Sequence, residues 1–384
     1  MTRRPVHGAK ETGAAPEKKN IHPVDKGVLV SFLLLLGVGL IVLYAASYYN
    51  AQDRGDPLSE VVSQLFGAGV GLIGMLVLLR IDYHLLAKPA VSGALLGLSL
   101  LLLVLVAIPG VGRILNGSRR WLRLGPVSFQ PSELAKYAMI LFLARALSDR
   151  ARDIRRFFTG LIPLLIVPGA MFLLILLQPN LSTAGSILIV AACMVMMAGA
   201  RWPHLAGLGA EGLALGAFYA LSEPYRRARL MSFRDPFRYL TNEGYQLAQS
   251  LLAFGSGGLF GMGLGRGRQK YAFLPYPESD FIFAVVGEDL GFFGCVAVLM
   301  LFMAFVFFGL RVAIRCPDRF GSLLAGGITA MIGVQCVLNV AVVIGLIPTT
   351  GQPLPLFSAG GTSIAIIMGA VAVLLNISRS IEPI

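Results

Sequence analysis

The chain has 384 residues, of which 56% are hydrophobic and 14% charged, and its mean hydropathy is +0.76. Soluble domains carry roughly 45–50% apolar and about 25% charged residues, so this balance excludes a soluble globular fold, disorder, collagen and a disulfide-stapled scaffold. The formal charge of +12 reads as a topological signal rather than a nucleic-acid footprint.

A bilayer core about 30 Å thick needs roughly 20 apolar residues per helical span. Residues 1–27 form a polar, basic tail. The run Val28–Tyr48 behind it exceeds the core of a cleaved signal peptide and reads as a retained first span. Ten candidate spans follow from hydropathy, at 28–48, 62–79, 91–109, 132–147, 158–177, 183–200, 204–221, 281–310, 322–345 and 360–378. The fourth is short and polar, and the eighth is long enough to tilt or project beyond the lipid. The predicted architecture is an all-α polytopic membrane protein, one domain over 28–380, with a long extracytoplasmic loop at 222–280 between spans 7 and 8.

An even number of spans puts both termini on one side. Of the 32 Lys and Arg, 18 fall on the face that bears the N-terminus and 14 on the other, eight of these in the long loop. Long loops escape the positive-inside rule, so both termini are expected in the cytoplasm. The loop contains the amphiphilic stretch Tyr245–Gly258, which reads as interfacial or re-entrant, and it carries Arg226, Arg227, Arg229, Arg234, Arg238, Arg266, Arg268 and Lys270. Those cations make either a solvated surface or an electropositive site for an anionic, membrane-borne ligand.

Three segments hold groups that ask for a partner or a task in a membrane. The first is Asn116-Gly-Ser-Arg-Arg-Trp-Leu-Arg123, which continues to Gln130-Pro-Ser-Glu-Leu-Ala-Lys136. Pro131 suits a first helical turn and Ser132 an N-terminal cap. Glu133 and Lys136, three apart, share a helix face. They form either a structural ion pair or the polar floor of a substrate cavity beneath Arg119, Arg120 and Arg123.

The second segment is Leu274-Pro-Tyr-Pro-Glu-Ser-Asp280, leading into Glu288 and Asp289. Asp280 at the start of span 8 is either a helix-terminal acid or a general base, a role that partial burial improves. Glu288, Asp289 and Glu211 read as packed against the bundle interior. The third is Pro348-Thr-Thr-Gly-Gln-Pro-Leu-Pro-Leu-Phe-Ser358-Ala-Gly-Gly-Thr-Ser363, where Pro and Gly break the helix. Non-helical backbone at this depth is tolerated where it lines a wet cavity, which makes Ser358 a candidate substrate contact.

Other signals exclude alternatives. The four cysteines include no C-x-x-C pair, and there is no H-E-x-x-H or P-loop. Gly207-Leu-Gly-Ala-Glu-Gly212 lies inside a span with no strand before it, so it is not a dinucleotide site.

Taken together, Asn116-Gly-Ser-Arg-Arg-Trp, Gln130-Pro-Ser-Glu-Leu-Ala-Lys, Tyr245-Gln-x-x-Gln-Ser, Ala253-Phe-Gly-Ser-Gly-Gly, Asp280-Phe-Ile-Phe-Ala and Pro348-Thr-x-Gly resemble the SEDS family (FtsW, RodA and SpoVE-like) in order and spacing. The 253–258 and 348–351 motifs look closer to its FtsW branch. The resemblance implies a peptidoglycan glycosyltransferase for cell division that polymerises lipid II into β-1,4 glycan at the outer face of the bacterial cytoplasmic membrane. It implies Asp280 as the essential acid, and Glu133 with Lys136 as a buried polar pair. Ser132, Arg119, Arg120, Lys270 and Ser358 are candidate substrate contacts. Loop arginines or Lys270, with a divalent cation (Mg or Mn), would stabilise the leaving pyrophosphate. A class B penicillin-binding protein and other divisome membrane proteins are the implied partners, with no nucleic acid. The sequence departs from the family pattern at Asn180 (an acid expected), Ala359 (Tyr expected) and Asp289 (Glu expected). A lipid II flippase and a non-catalytic division scaffold are the alternative readings. Ionisable groups near span ends rather than at mid-bilayer favour the enzyme.

Overall fold

A computed structural model describes residues 22–382, except 54, 55, 57, 116, 117, 126, 151–153, 223, 241–243 and 272. Most of the basic tail and the Asn116-Gly117 pair lie outside the described residues, as do the side chains of Glu211, Arg226 and Arg229.

A helix occupies every stretch expected from hydropathy. They are α1 (Lys26–Asp53), α2 (Ser59–Leu78), α3 (Pro89–Ala107), α4 (Pro131–Asp149), α5 (Ile162–Leu176), α6 (Leu181–Met197), α7 (Trp202–Ser222), α10 (Ile282–Arg315), α11 (Arg319–Val343) and α12 (Gly361–Ser378). Among the described residues, seven helical stretches are long and apolar enough to cross a membrane: α1, α2, α3, Phe157–Leu176, α10, α11 and α12. A π-helical turn at Phe157–Leu161 leads into α5. The long loop is itself helical in part, with α8 (Pro224–Arg234) and α9 (Tyr245–Gly257).

The short fourth helix is the bundle's centre. It packs against α3, α5, α6, α11 and α12, and 13 of its 19 residues are buried. A helix enclosed on all sides needs no lipid-facing apolar stripe, which is why its hydropathy is low. On the rim, α2 lies close along α12, where Gly67 stands against the Gly361 carbonyl. Small residues let two backbones approach so closely in a membrane. His22 N–H donates to the Arg379 carbonyl at 3.0 Å, so the two ends of the described chain meet at one end of the bundle.

The helical architecture carries two local features that hydropathy does not show. Between α3 and α4 the chain forms a three-stranded antiparallel meander, β1 (Arg113–Leu115), β2 (Ser118–Leu124) and β3 (Val127–Phe129). It pairs Arg113 with Trp121, and Leu122 with Phe129. The strands are short and rich in arginine, so hydropathy alone gave them no signal.

The second is a break within α10, the span long enough to tilt or project beyond the lipid. Gly291 leaves the helix at φ 68°, ψ −165°. The groups freed by the break are met by the loop after α9. Met262 and Gly263 N–H donate to the Glu288 and Asp289 carbonyls, both at 3.0 Å, while Phe292 and Phe293 N–H donate to the Gly258 and Leu259 carbonyls. A helix interruption inside protein is tolerated when its donors and acceptors are met in this way.

Glu288 and Asp289, expected to pack against the interior, hold that same loop. Glu288 accepts from the Arg268 and Gln269 N–H groups at 2.5 and 2.9 Å. Asp289 accepts from Gly265 and Gly267 N–H at 2.9 and 3.0 Å and from Lys270 Nζ at 2.6 and 2.8 Å.

Candidate functional site

At the end of the bundle opposite the chain termini lies a cavity of about 410 Å³. Residues of α2, β2, α4, α6, α9, α11 and α12 line it, together with the segments before α10 and α12. Three of the sequence segments singled out above therefore converge on one space, although they are more than 200 residues apart at the extremes.

Asp280 sits on its wall, half-buried, just before α10. Its position is set by the neighbouring backbone. Asn339 of α11 donates from Nδ2 to the Asp280 carbonyl at 2.8 Å and to the Gln352 carbonyl at 2.7 Å. Ser358 Oγ donates to the Ser279 carbonyl at 2.6 Å, and Ala359 N–H to the Glu278 carbonyl at 2.8 Å. The Ser279 hydroxyl donates to Asp280 Oδ1 at 3.3 Å. At Gly351 a Cβ would stand 2.8 Å from Asp280 Oδ2, so the Pro348-Thr-Thr-Gly turn passes close against the carboxylate. Two non-glycine residues of the wall, Tyr276 and Leu356, hold φ of 50° and 67°. Such backbone persists where the surroundings over-determine it, commonly at functional sites.

Glu133 and Lys136 form the expected pair, Nζ to Oε1 at 2.7 Å, with exposures of 3% and 0%. Glu133 Oε2 accepts from the Ser363 hydroxyl of α12 at 2.7 Å. Glu133 therefore lines the cavity while Lys136 lies behind it. Both carboxylate oxygens are engaged, so the pair cross-links α4 to α12 and supplies the cavity with a fixed polar wall.

The remaining candidates separate. Arg120 lines the cavity, its guanidinium donating to the Gln178 carbonyl at 3.0 Å and to the Pro179 carbonyl. Arg119, one residue earlier, is on the other face of β2, with Nη1 reaching the Ala107 carbonyl and its stem on Gly112. Alternation along a strand sends neighbouring side chains to opposite faces. Lys270 is buried to 1% exposure against Asp289 and is not on the wall. Ser132 is buried at the second helical position and accepts from Gln130 Nε2 at 3.0 Å. The N-cap of α4 is Gln130, so Ser132 is not the cap. Ser358 is on the wall, buried, and its carbonyl accepts from Gln64 Nε2 at 3.2 Å. Asn180, where an acid was expected, lines the cavity and caps α6, accepting from Thr183 N–H at 3.3 Å.

Sequence reasoning missed Gln64, Gln335 and Asn339. Each is a buried amide within an apolar span, and that contrast was the available signal. Among the described residues, no group of three or more His, Cys, Asp or Glu could hold a metal ion. The carboxylates among the described residues of the cavity wall are Glu133 and Asp280.

At the opposite end, Tyr83 donates to Asp318, His84 lies 2.6 Å from Asp82, and the group borders a cavity of about 500 Å³. Burial and the hydrogen bond to Asp318 push the Tyr83 hydroxyl well above its ordinary range. Burial, then the Asp318 charge, pushes the Cys316 thiol up to about 11.

Comparison with known proteins places this geometry in a family. A family model described as "Cell cycle protein", for FtsW, RodA and SpoVE, matches residues 26–382. The chain is 44% identical over 356 residues to stage V sporulation protein E of Bacillus subtilis (strain 168), covering 92% of this chain and 97% of that one. It is 38% identical over 361 residues to a probable peptidoglycan glycosyltransferase FtsW of Geobacter sp. (strain M18), covering 94% and 98%. A solved chain, from a structure on the coordination of polymerization and crosslinking by a peptidoglycan synthase complex, superposes with a TM-score of 0.78 at 31% identity. That match covers 93% of this chain and 98% of the other.

Proposed function

We propose that this chain, which belongs to the FtsW, RodA and SpoVE family of cell cycle proteins, is a peptidoglycan glycosyltransferase that joins lipid II units into β-1,4 glycan for cell division. The observation that carries the reading is one cavity at one end of the bundle, with a positioned carboxylate, Asp280, and a guanidinium, Arg120, on its wall.

The chemistry asks for little more. An α-linked donor yields a β bond through one inverting displacement. The acceptor's 4-hydroxyl gives its proton to Asp280 while its oxygen attacks the donor's anomeric carbon, and the bond to undecaprenyl pyrophosphate breaks. Pyrophosphate leaves as a stable anion, so a single base suffices and no second carboxyl need donate a proton. Positive charge near the leaving oxygens lowers the barrier, and Arg120 is the candidate arginine that the wall presents.

In this reading α1 to α7 and α10 to α12 make ten spans. The cavity end faces outward and both termini lie in the cytoplasm, as the distribution of Lys and Arg predicts. Lipid II enters from the outer leaflet, and a class B penicillin-binding protein and other divisome membrane proteins are the partners. The test is polymerisation of labelled lipid II by the purified chain with that partner. Asp280→Asn is expected to lower the rate at least about 100-fold, in the range of a lost general base. Polymer formed at the unaltered rate overturns the mechanism; lipid movement across vesicles without polymer from the unaltered protein supports a transporter.

A further inference from the structure

Gln335 of α11 is 2% exposed, lies on the cavity wall, and its Oε1 has no hydrogen-bond partner. It is about 6 Å, just over one helical turn, deeper than Asn339, whose amide holds the Asp280 carbonyl. Measured from the outer end of α11 at Val343, Gln335 is about 12 Å down; Ile367 is about 9 Å into α12 from its own outer end. Ile364 and Ile367, 1% and 3% exposed, line the same cavity, and α11 packs on α12.

The cavity wall therefore offers a carbonyl acceptor without a partner together with two buried, branched apolar side chains. A buried acceptor left unsatisfied costs free energy that a ligand donor recovers. An acyl chain would cover the isoleucines and leave the acceptor orphaned. A hydroxyl would meet the acceptor and leave the isoleucines uncovered. One small group supplies both halves: an acetamido, with its N–H donor and its methyl a few bonds apart.

We propose that Gln335 is a specificity-determining residue that accepts a hydrogen bond from the 2-acetamido N–H of the sugar whose 4-hydroxyl faces Asp280, with the acetyl methyl against Ile364 and Ile367. This assignment rests on the glycosyltransferase reading of the same cavity. In that sugar the 2- and 4-substituents are equatorial on ring carbons two apart, a separation comparable with the one helical turn between Gln335 and Asn339. A site that hydrogen-bonds a substrate group rejects analogues lacking it, because its own buried polar atom is then left unpaired.

The experiment measures equilibrium binding of a short-chain lipid-linked GlcNAc–MurNAc pyrophosphate to the full chain in nanodiscs, against the analogue that is 2-deoxy at the non-reducing sugar. Polymer formation is followed separately with lipid II. The unaltered protein is expected to bind the acetamido ligand about 10- to 100-fold more tightly, and Gln335→Met to bring the ratio within about threefold. Gln335→Glu, which keeps a carbonyl acceptor, retains the preference and serves where Gln335→Met does not fold. Equal binding of the two ligands by the unaltered protein overturns the proposal, as does full discrimination by Gln335→Met. Discriminating binding without any polymer leaves this assignment standing and overturns the glycosyltransferase reading instead.

Discussion

The side-chain amide of Asn339 donates to the carbonyl of Asp280 at 2.8 Å and to that of Gln352 at 2.7 Å, joining α11 to both irregular segments of the site. Asn339 is 1% exposed, and a leucine there would fill the space while leaving the buried Gln352 carbonyl and the part-buried Asp280 carbonyl without this donor. Each such loss costs about 1–3 kcal/mol. Asn339→Leu is expected to fold with a lower melting temperature in detergent and to polymerise lipid II about 10- to 100-fold more slowly, since a displacement near 1 Å at a reacting group costs about that much. An unchanged rate would show that Asp280 is held without it.

The Glu133–Lys136 pair yields a second expectation. Lys136→Met takes the cation away from the buried Glu133 carboxylate and is expected to destabilise by about 3–5 kcal/mol. Replacing both, Glu133→Gln with Lys136→Met, removes the uncompensated charge and recovers most of the loss, since the amide can still accept from Ser363. Thermal unfolding of the single and double variants, read by a tryptophan or dye signal, measures the difference. A double variant no better than the single one contradicts the argument.

The break in α10 makes a third. At Gly291, with φ at 68°, an added Cβ would lie 2.3 Å from the Gly261 nitrogen. Gly291→Ala meets both a disfavoured backbone and a clash with backbone atoms, which cannot swing aside as a flexible side chain could. Loss of folded protein, seen as aggregation on size-exclusion chromatography, is expected. A protein that tolerates alanine here would have a continuous α10.

The Cys316 thiol supplies a pH dependence. The thiolate is the reactive form, and a thiol held up to about 11 by burial and by Asp318 carries about two hundredfold less of it at pH 8 than an ordinary one titrating near 8.5. Because the value is raised, labelling by a small alkylating reagent is expected to climb about tenfold per pH unit from 8 to 10. A rate that levels off by pH 9 would refute the shift.

Hydropathy and charge determine much of this protein, because they are read along the chain one residue after another. The apolar runs place a helix at each expected stretch, and the motifs around Glu133, Asp280 and Pro348 mark the cavity. Facing is another matter. Arg119 and Arg120 are chemically identical neighbours, yet the pleat of β2 turns one toward Ala107 and the other toward the cavity. Lys270 has the composition of an anion contact, yet Asp289, 19 residues on, takes it into a buried pair. Gln335 and Asn339 are two polar residues in an apolar helix until the segments after α9 and before α12 fold over them. Which side chains share a space depends on strand register, on a helix break and on pairings between distant segments, and those contacts exist only once the chain has packed.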